Sequence, residues 1–326
     1  MSYRLDPALP MSEALRSVAF AELDIAHNAL SAPPERHSGV HCARKCLKRL
    51  RSLLLLARPG MPEPVFGSLN ERVSRIGKGL AAARDAQALL DAVVKLERHS
   101  EDWLASRGPT QSLRGWLQKR RQTAEQNLDR STASDATRGL LELRPAFAGL
   151  AVYPDDFGAL AKGLRRCYRE TRKSFKTAFQ TQEDEDLHEW RKGVQYHWRQ
   201  MQLLAPCWPS ELTARAEAAR SLSQILGDDH DIAMLRRLVS TPTMTFGSPD
   251  EIAAFLKRCR KRQKVLRKEA GVRGARLFVE HSGPFAERIQ AYWLTASIGP
   301  DKPAPAPRPD NVVVFGDPRA GRAGQG

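Results

Sequence analysis

The sequence lacks most of the features on which membrane proteins, secreted modules and many enzymes depend. No stretch approaches the ~20 apolar residues of a membrane span. The N-terminus carries Arg4 and Asp6 with no apolar core segment, so it does not read as a secretory signal. Cysteine is scarce: Cys42, Cys46, Cys167, Cys207 and Cys259 make an odd number with no CxxC pair. That argues against a disulfide framework or a zinc site and for buried thiols in a reducing, cytoplasmic setting. Aromatic residues are only 7% and β-branched runs are short, which leaves little support for strands. Phosphate-binding GxxxxGK[ST] loops, GxSxG elbows and HExxH pairs are all missing. Acid is also in deficit, with 37 Asp+Glu against 52 Lys+Arg and a net charge of +15 over 326 residues. An excess of that size predicts attraction to polyanions: nucleic acid, an anionic membrane surface or polyphosphate.

What is present is helical periodicity. The first helix is expected from Ser12 to about Leu30, stopped by Ala32-Pro33-Pro34. A second, capped by Ser38, runs to Pro59-Gly60. Helices follow from Pro62–Glu63 to about Ala81, from Arg84-Asp85 to about Trp103 and, after a break at Gly108-Pro109, from Leu113 to Leu128. Ser131 to Thr137 reads as a turn region, and Leu140 to Leu150, with Pro145 inside, as a linker or short helix. The second half predicts helices at Asp156–Phe179, Glu185–Leu204 and Glu211–Leu226. Gly227-Asp228-Asp229-His230-Asp231 then leads into a separate helix to Val239. Asp250–Ala270 and Ala286–Trp293 complete the set. Beyond Pro300, Pro-rich and then Gly-rich sequence (300–326) reads as a disordered tail.

Two helices stand out. Each residue advances about 100° around a helix. Taking His41 as zero, Arg44, Lys45 and Lys48 fall within about 60° of it, with Arg49 and Arg51 flanking at about 80°. Cys42, Ala43, Cys46, Leu47, Leu50, Leu53 and Leu54 occupy the other arc. Like charges at this spacing repel, and no acid lies on the stripe, so an anionic ligand is the expected compensation. The second helix repeats the split: His188, Arg191, Lys192, Gln195 and Arg199 share a face opposite Trp190, Val194, Met201 and Leu204. His197 falls on the apolar face and reads as a core histidine. Arg165, Arg169, Arg172 and Lys176 form a further stripe. Another comprises Lys257, Arg260, Lys261, Lys264 and Lys268, for which a merely solvated face is an equal reading.

His41 and His188 are 147 positions apart, and Asp85 and Asp231 are 146 apart, so the markers recur with nearly constant separation. The expected organisation is all-α: an N-terminal extension (1–10), then two similar helical bundles, about 11–150 and 151–299, paired in one unit. Asp85 and Asp231 are expected at helix starts, where an acid satisfies free N–H groups and the dipole.

The ordered set resembles the CHAD domain (conserved histidine α-helical domain). It consists of His41-x-x-Arg44 with Lys48-Arg49-x-Arg51 and then Arg84-Asp85, followed by Tyr168-Arg169-x-x-Arg172, His188-x-x-Arg191-Lys192 and Leu226-Gly227-Asp228-Asp229-His230-Asp231. Leu277-Phe278 and Ala291-Tyr292-Trp293 resemble the family's end. The resemblance implies two pseudo-symmetric bundles around a central basic cavity or channel; no companion triphosphatase domain is seen in the sequence, so a stand-alone domain is expected. The resemblance also implies binding of inorganic polyphosphate and association with polyphosphate granules, with no cofactor and no metal. The expected binding residues are His41, Arg44, Lys45, Lys48, Arg49, Arg51, Arg165, Arg169, Arg172, Lys176, His188, Arg191, Lys192, Arg199, Arg260 and Lys264. Gln195 departs from the family's basic residue, so the His41 side is expected to carry more of the binding.

Two rivals stay open. His230-Asp231 with His188, Glu185 and Asp186 suggests a metal phosphohydrolase, against which stands the repulsion of a divalent ion by cationic faces. Nucleic-acid binding shares the electrostatics, but the basic faces offer few aromatics for stacking, Tyr168, Tyr196 and Trp198 lying at their edges. Membrane-surface binding is disfavoured, because the apolar faces of the cationic helices are expected to be spent on the core.

Overall fold

Amphipathic periodicity of 3.6 with almost no strand-forming sequence gives a helical molecule. The computed structural model describes residues 3–31, 36–80, 82–98, 107–127, 130–241 and 244–298. Within them lie eleven α-helices and no strand. They are α1 (Met11–Ser31), α2 (Arg36–Ala57), α3 (Glu63–Gly79), α4 (Ala82–Arg98), α5 (Arg107–Asn127), α6 (Arg130–Ala148), α7 (Phe157–Thr181), α8 (Asp184–Leu204), α9 (Pro209–Val239), α10 (Pro249–Leu277) and α11 (Ser282–Ser297). Short 3₁₀ turns at Arg58–Gly60 and Ala205–Cys207 close α2 and α8. No helix is long and apolar enough to cross a membrane among the described residues. The expected tail at 300–326 lies outside the described residues.

Three expectations about local structure change. Gly108-Pro109 does not break a helix but opens one: α5 starts at Arg107, and proline is tolerated in a first turn, whose N–H groups have no intrahelical partner. The turn and linker expected at 131–150 are one helix, α6, running through Pro145. The carbonyl that Pro145 leaves without an N–H belongs to Leu141, an exposed position where water can take its place. Most relevant to function, α9 is continuous through Gly227-Asp228-Asp229-His230-Asp231, so Asp231 stands mid-helix and not at a start. Asp85 lies within α4, and its side chain is outside the described set.

The apolar residues gather into two clusters, and these do not follow the division of the sequence near 150. The larger draws on α1, α2, α3, α6, α7, α8, α11, the first part of α9, up to Leu226, and the end of α10, at Ala270 and Leu277. The smaller joins Leu90, Val93 and Leu96 of α4 and Leu113 and Leu117 of α5 to Ile232, Leu235 and Val239 of α9 and Phe255, Cys259 and Leu266 of α10. First-half helices therefore share a core with second-half ones, and α9 runs through both clusters. The segment before α1 packs on the same core. Tyr3 and Leu5 are buried in the larger cluster, and the Leu5 N–H donates to the Leu203 carbonyl at 2.8 Å.

Two features fix α2 and α8 in place. At Gly163, α7 approaches α2 so closely that a Cβ there would lie 1.8 Å from the Leu56 carbonyl oxygen, a contact open only to glycine. At the other end of α7, Gln182 adopts a left-handed φ of 56° that closes the helix. Its carbonyl accepts from Arg267 of α10 at 2.5 Å. Arg267 also donates to Asp184, at the start of α8, at 2.5 Å, and to the buried Asp229 of α9 at 2.8 Å. One guanidinium of α10 thus ties the end of α7 and the start of α8 to the middle of α9. Burial pushes the Asp229 carboxyl up, and the Arg267 bonds pull it back.

Candidate functional site: a cationic cleft between α2, α8 and α9

The amphipathic split of α2 is realised. Ala43, Cys46, Leu47, Leu50, Leu53 and Leu54 are buried, leaving His41, Lys45 and Lys48 exposed and Arg44 and Arg49 half-buried. On α8, Trp190, Val194, Met201 and Leu204 are likewise buried. So is His197, whose Nε2 accepts from Arg215 at 3.1 Å, placing it in the core as its position on the apolar face implied.

Between the two helices opens a cleft of about 750 Å³. From α2 it takes His41, Arg44, Lys45, Lys48 and Arg49; from α8, His188, Arg191, Trp198, Arg199 and Gln202. The third wall is α9, with Arg220, Ser223, Gln224, His230, Asp231 and Met234, and α4 closes the end with Ala88 and Leu89. Seven lysines and arginines face one carboxylate, Asp231. The cleft lies where α9 passes from the larger apolar cluster to the smaller.

Not every cation in the cleft is equally available. Arg49 is held 3.0 Å from Glu22, a carboxylate of α1 that is only 1% exposed, and its guanidinium lies 5.0 Å from the Tyr3 ring centre. Arg44 donates to the Gly77 carbonyl at 2.8 Å. Arg199 is buried, donates to the Gln195 carbonyl at 2.8 Å and lies 5.0 Å from the Trp198 ring centre. Burial pulls its pKa down to about 10, which still leaves it charged at neutral pH. Arg191 packs beneath α9 because position 227 is glycine: a Cβ there would lie 3.3 Å from its Nη2. Burial lowers the Arg191 pKa, opposed by the fields of Asp231 and Asp228.

The two histidines from α8 and α9 form a pair. The rings of His188 and His230 stack with centroids 4.3 Å apart and planes 28° from parallel. Burial first, then Arg191 and Lys192, holds His188 below its ordinary value. Burial, His188 and Arg191 bring His230 down to about 4. Both rings are neutral at pH 7 without an anion, which permits the stack. His188 Nδ1, Arg191 Nε and Trp198 Nε1 are buried nitrogens with no hydrogen-bond partner among the described residues. Such groups carry a desolvation penalty that an acceptor oxygen would relieve. No group of three or more His, Cys, Asp or Glu positioned to hold a metal ion occurs among the described residues.

Of the residues expected from the sequence, the structure brings together His41, Arg44, Lys45, Lys48, Arg49, His188, Arg191 and Arg199. It leaves the others outside the cleft. Arg51 donates to Asn70 of α3 at 3.3 Å, and Lys192 pairs with Glu189 at 2.5 Å. On α7, Arg172 donates to the Phe278 carbonyl at 2.9 Å and Arg169 lies 3.4 Å from Glu170. Arg165 and Lys176 are exposed on the same helix away from the cleft. Arg260 and Lys264 lie on the outer face of α10. Sequence reasoning missed Arg220 and Gln224 and weighed His230 only as a metal ligand. Reading α9 as one unbroken helix places Gln224 and Asp231 within about 40° of Arg220, but the helix is buried on more than one side and has no clean amphipathic split to point to them.

Comparison with known proteins agrees with this architecture. A crystal structure of the CHAD domain from the plant Ricinus communis superposes with a TM-score of 0.55 at 19% sequence identity, over 90% of this chain and 95% of that one. No curated protein matches the chain. The CHAD domain family model matches residues 19–240, a span containing α2, α8 and α9 with every cleft residue, and the chain belongs to the CHAD domain family.

Proposed function

We propose that the protein binds inorganic polyphosphate in the α2/α8/α9 cleft and does not cleave it. The observation that carries this is the composition of the cleft: seven lysines and arginines to one carboxylate, with His188 Nδ1 and Arg191 Nε buried and unpartnered. Arginine offers paired donors to phosphate oxygens and lysine a compact charge. A linear polymer of tetrahedral anions can meet three cationic walls at once. Family membership supports the same ligand class, and association with cytoplasmic polyphosphate granules would follow from it.

The rival polymer is nucleic acid. One aromatic, Trp198, lines the cleft, and Arg199 and Arg220 approach its ring at 5.0 and 5.9 Å. Single-strand binders use successive aromatic platforms for successive bases, so a polymer without bases fits better. The test is competition: at equal phosphate, long-chain polyphosphate is expected to displace bound RNA or DNA. Displacement of polyphosphate by RNA would overturn the reading. Orthophosphate release on adding a divalent metal would overturn the non-catalytic part.

A further inference from the structure

The sequence marks five cations on α10 that the cleft does not use. Lys257, Arg260, Lys261, Lys264 and Lys268 fall within an arc of about 100° and extend over about 16 Å of helix. Phe255, Cys259, Leu266 and Ala270 are buried on the opposite side. All five cations are exposed, and no residue of α10 lines the cleft. The stripe is therefore a separate surface, on the helix that covers the smaller apolar cluster.

Its lack of pairing distinguishes it from the other basic faces. Two other cations of α10 are matched: Arg267 with Asp184 and Asp229, and Arg273 with Glu269 at 2.8 Å. The α7 stripe is partly spent on the Phe278 carbonyl and Glu170. Among the described residues, none of the five stripe cations has an ion pair or side-chain hydrogen bond. Three of the like-charge pairs (257/261, 260/264 and 264/268) stand at i, i+4, a spacing that destabilises a helix unless a counter-charge is supplied.

We infer that this α10 face is a second polyanion-binding surface, so that one molecule carries two separate contacts for polyphosphate and can join two polymer chains. This rests on the proposed function of the cleft. The face is convex and solvated, and four of its five cations are lysines. A single phosphate gains little there, whereas a polymer neutralises several charges together and releases their counterions. No exposed aromatic on α10 offers a base a stacking platform. The exposed apolar neighbours, Val265 and Val272, are too short to anchor the helix in a bilayer interface.

The experiment titrates the full chain with short-chain polyphosphate by calorimetry and mixes it with long-chain polyphosphate under light scattering. The wild type is expected to show two classes of site and to cross-link long chains. Lys257→Glu/Lys261→Glu/Lys264→Glu is expected to lose the weaker class, halve the stoichiometry and abolish scattering, with the tighter class retained. The glutamine version of the triple variant is expected to do the same more weakly and guards against an effect of the new acids. Arg44→Glu/Arg191→Glu is expected to lose the tighter class alone. Two classes and undiminished scattering in both stripe variants would overturn the inference. So would duplex DNA displacing polyphosphate from the weaker class at equal phosphate. Loss of all binding in the stripe variants, with Arg44→Glu/Arg191→Glu unaffected, would instead overturn the cleft reading.

Discussion

Gly227→Ala separates stability from binding in a way few substitutions at this site can. Position 227 is a buried point in the middle of α9, where alanine is favoured over glycine by about 0.8–1.0 kcal/mol of helix propensity. The added Cβ would lie 3.3 Å from Nη2, 3.5 Å from Nε and 3.7 Å from Cζ of Arg191, and no backbone atom is among these near contacts. The far end of a flexible side chain must shift by a few tenths of an ångström, which leaves most of the propensity gain intact. The same shift moves the guanidinium that lines the cleft. A charge-assisted hydrogen bond is worth about 1.5–3 kcal/mol. Losing part of one, about 1 kcal/mol, weakens binding roughly fivefold. Chemical denaturation should therefore show unchanged or raised stability, and calorimetry a weaker complex with polyphosphate. In an Arg191→Gln background the binding effect of Gly227→Ala should vanish, because the two act through one group. An equal loss in both backgrounds would refute the reasoning.

Two other outcomes follow from the electrostatics. His188 and His230 are neutral at pH 7 in the free protein: burial, Arg191 and Lys192 hold His188 down against Glu185 and Glu189, and burial, His188, Arg191 and Arg237 hold His230 down against Asp184. A bound phosphate favours the imidazolium and raises both pKa values, so binding takes up protons and tightens as pH falls from neutral toward about 4, the free value of His230; an affinity flat over that window contradicts this. By the same depression, the unfolded chain protonates His230 near 6.5 while the fold resists until about 4, so this residue's contribution to stability declines as pH falls between those values. Asp229→Ala strands the Arg267 guanidinium, which keeps Asp184. It is expected to lower stability by about 3 kcal/mol, the low end for breaking a buried pair. Replacing both partners, as Asp229→Leu/Arg267→Met, should restore most of it; a double variant as unstable as the single one would count against the account.

The walls of the site were legible where one helix carries the whole signal. On α2 and α8 the cationic and apolar faces are set by each helix's own residues, and the structure places both as their periodicity indicates. The third wall was not legible in the same way. The middle of α9 lies against two apolar clusters at once, so its polar and apolar residues do not sort into two clean faces, and Gly227-Asp228-Asp229 imitates a break between helices. The partners of individual cations were hidden for a different reason. Glu22, which neutralises Arg49, lies 27 residues earlier on α1. The Phe278 carbonyl that takes Arg172 lies 106 residues later. A stripe drawn on one helix shows where charge sits but not which charges the tertiary fold has already matched. The sharing of a core between α4, α5, α9 and α10 was invisible for the same reason, since periodicity assigns a helix a buried face but not the neighbour that buries it.

The central claim is that the cleft between α2, α8 and α9 is where the phosphate polymer binds. The most direct measurement compares short-chain polyphosphate binding by the wild type and by Arg44→Glu/Arg191→Glu, with circular dichroism confirming the fold of both. One charge is reversed on each of two facing walls, so the tighter binding class is expected to disappear. A folded double variant that binds as tightly as the wild type would contradict the account.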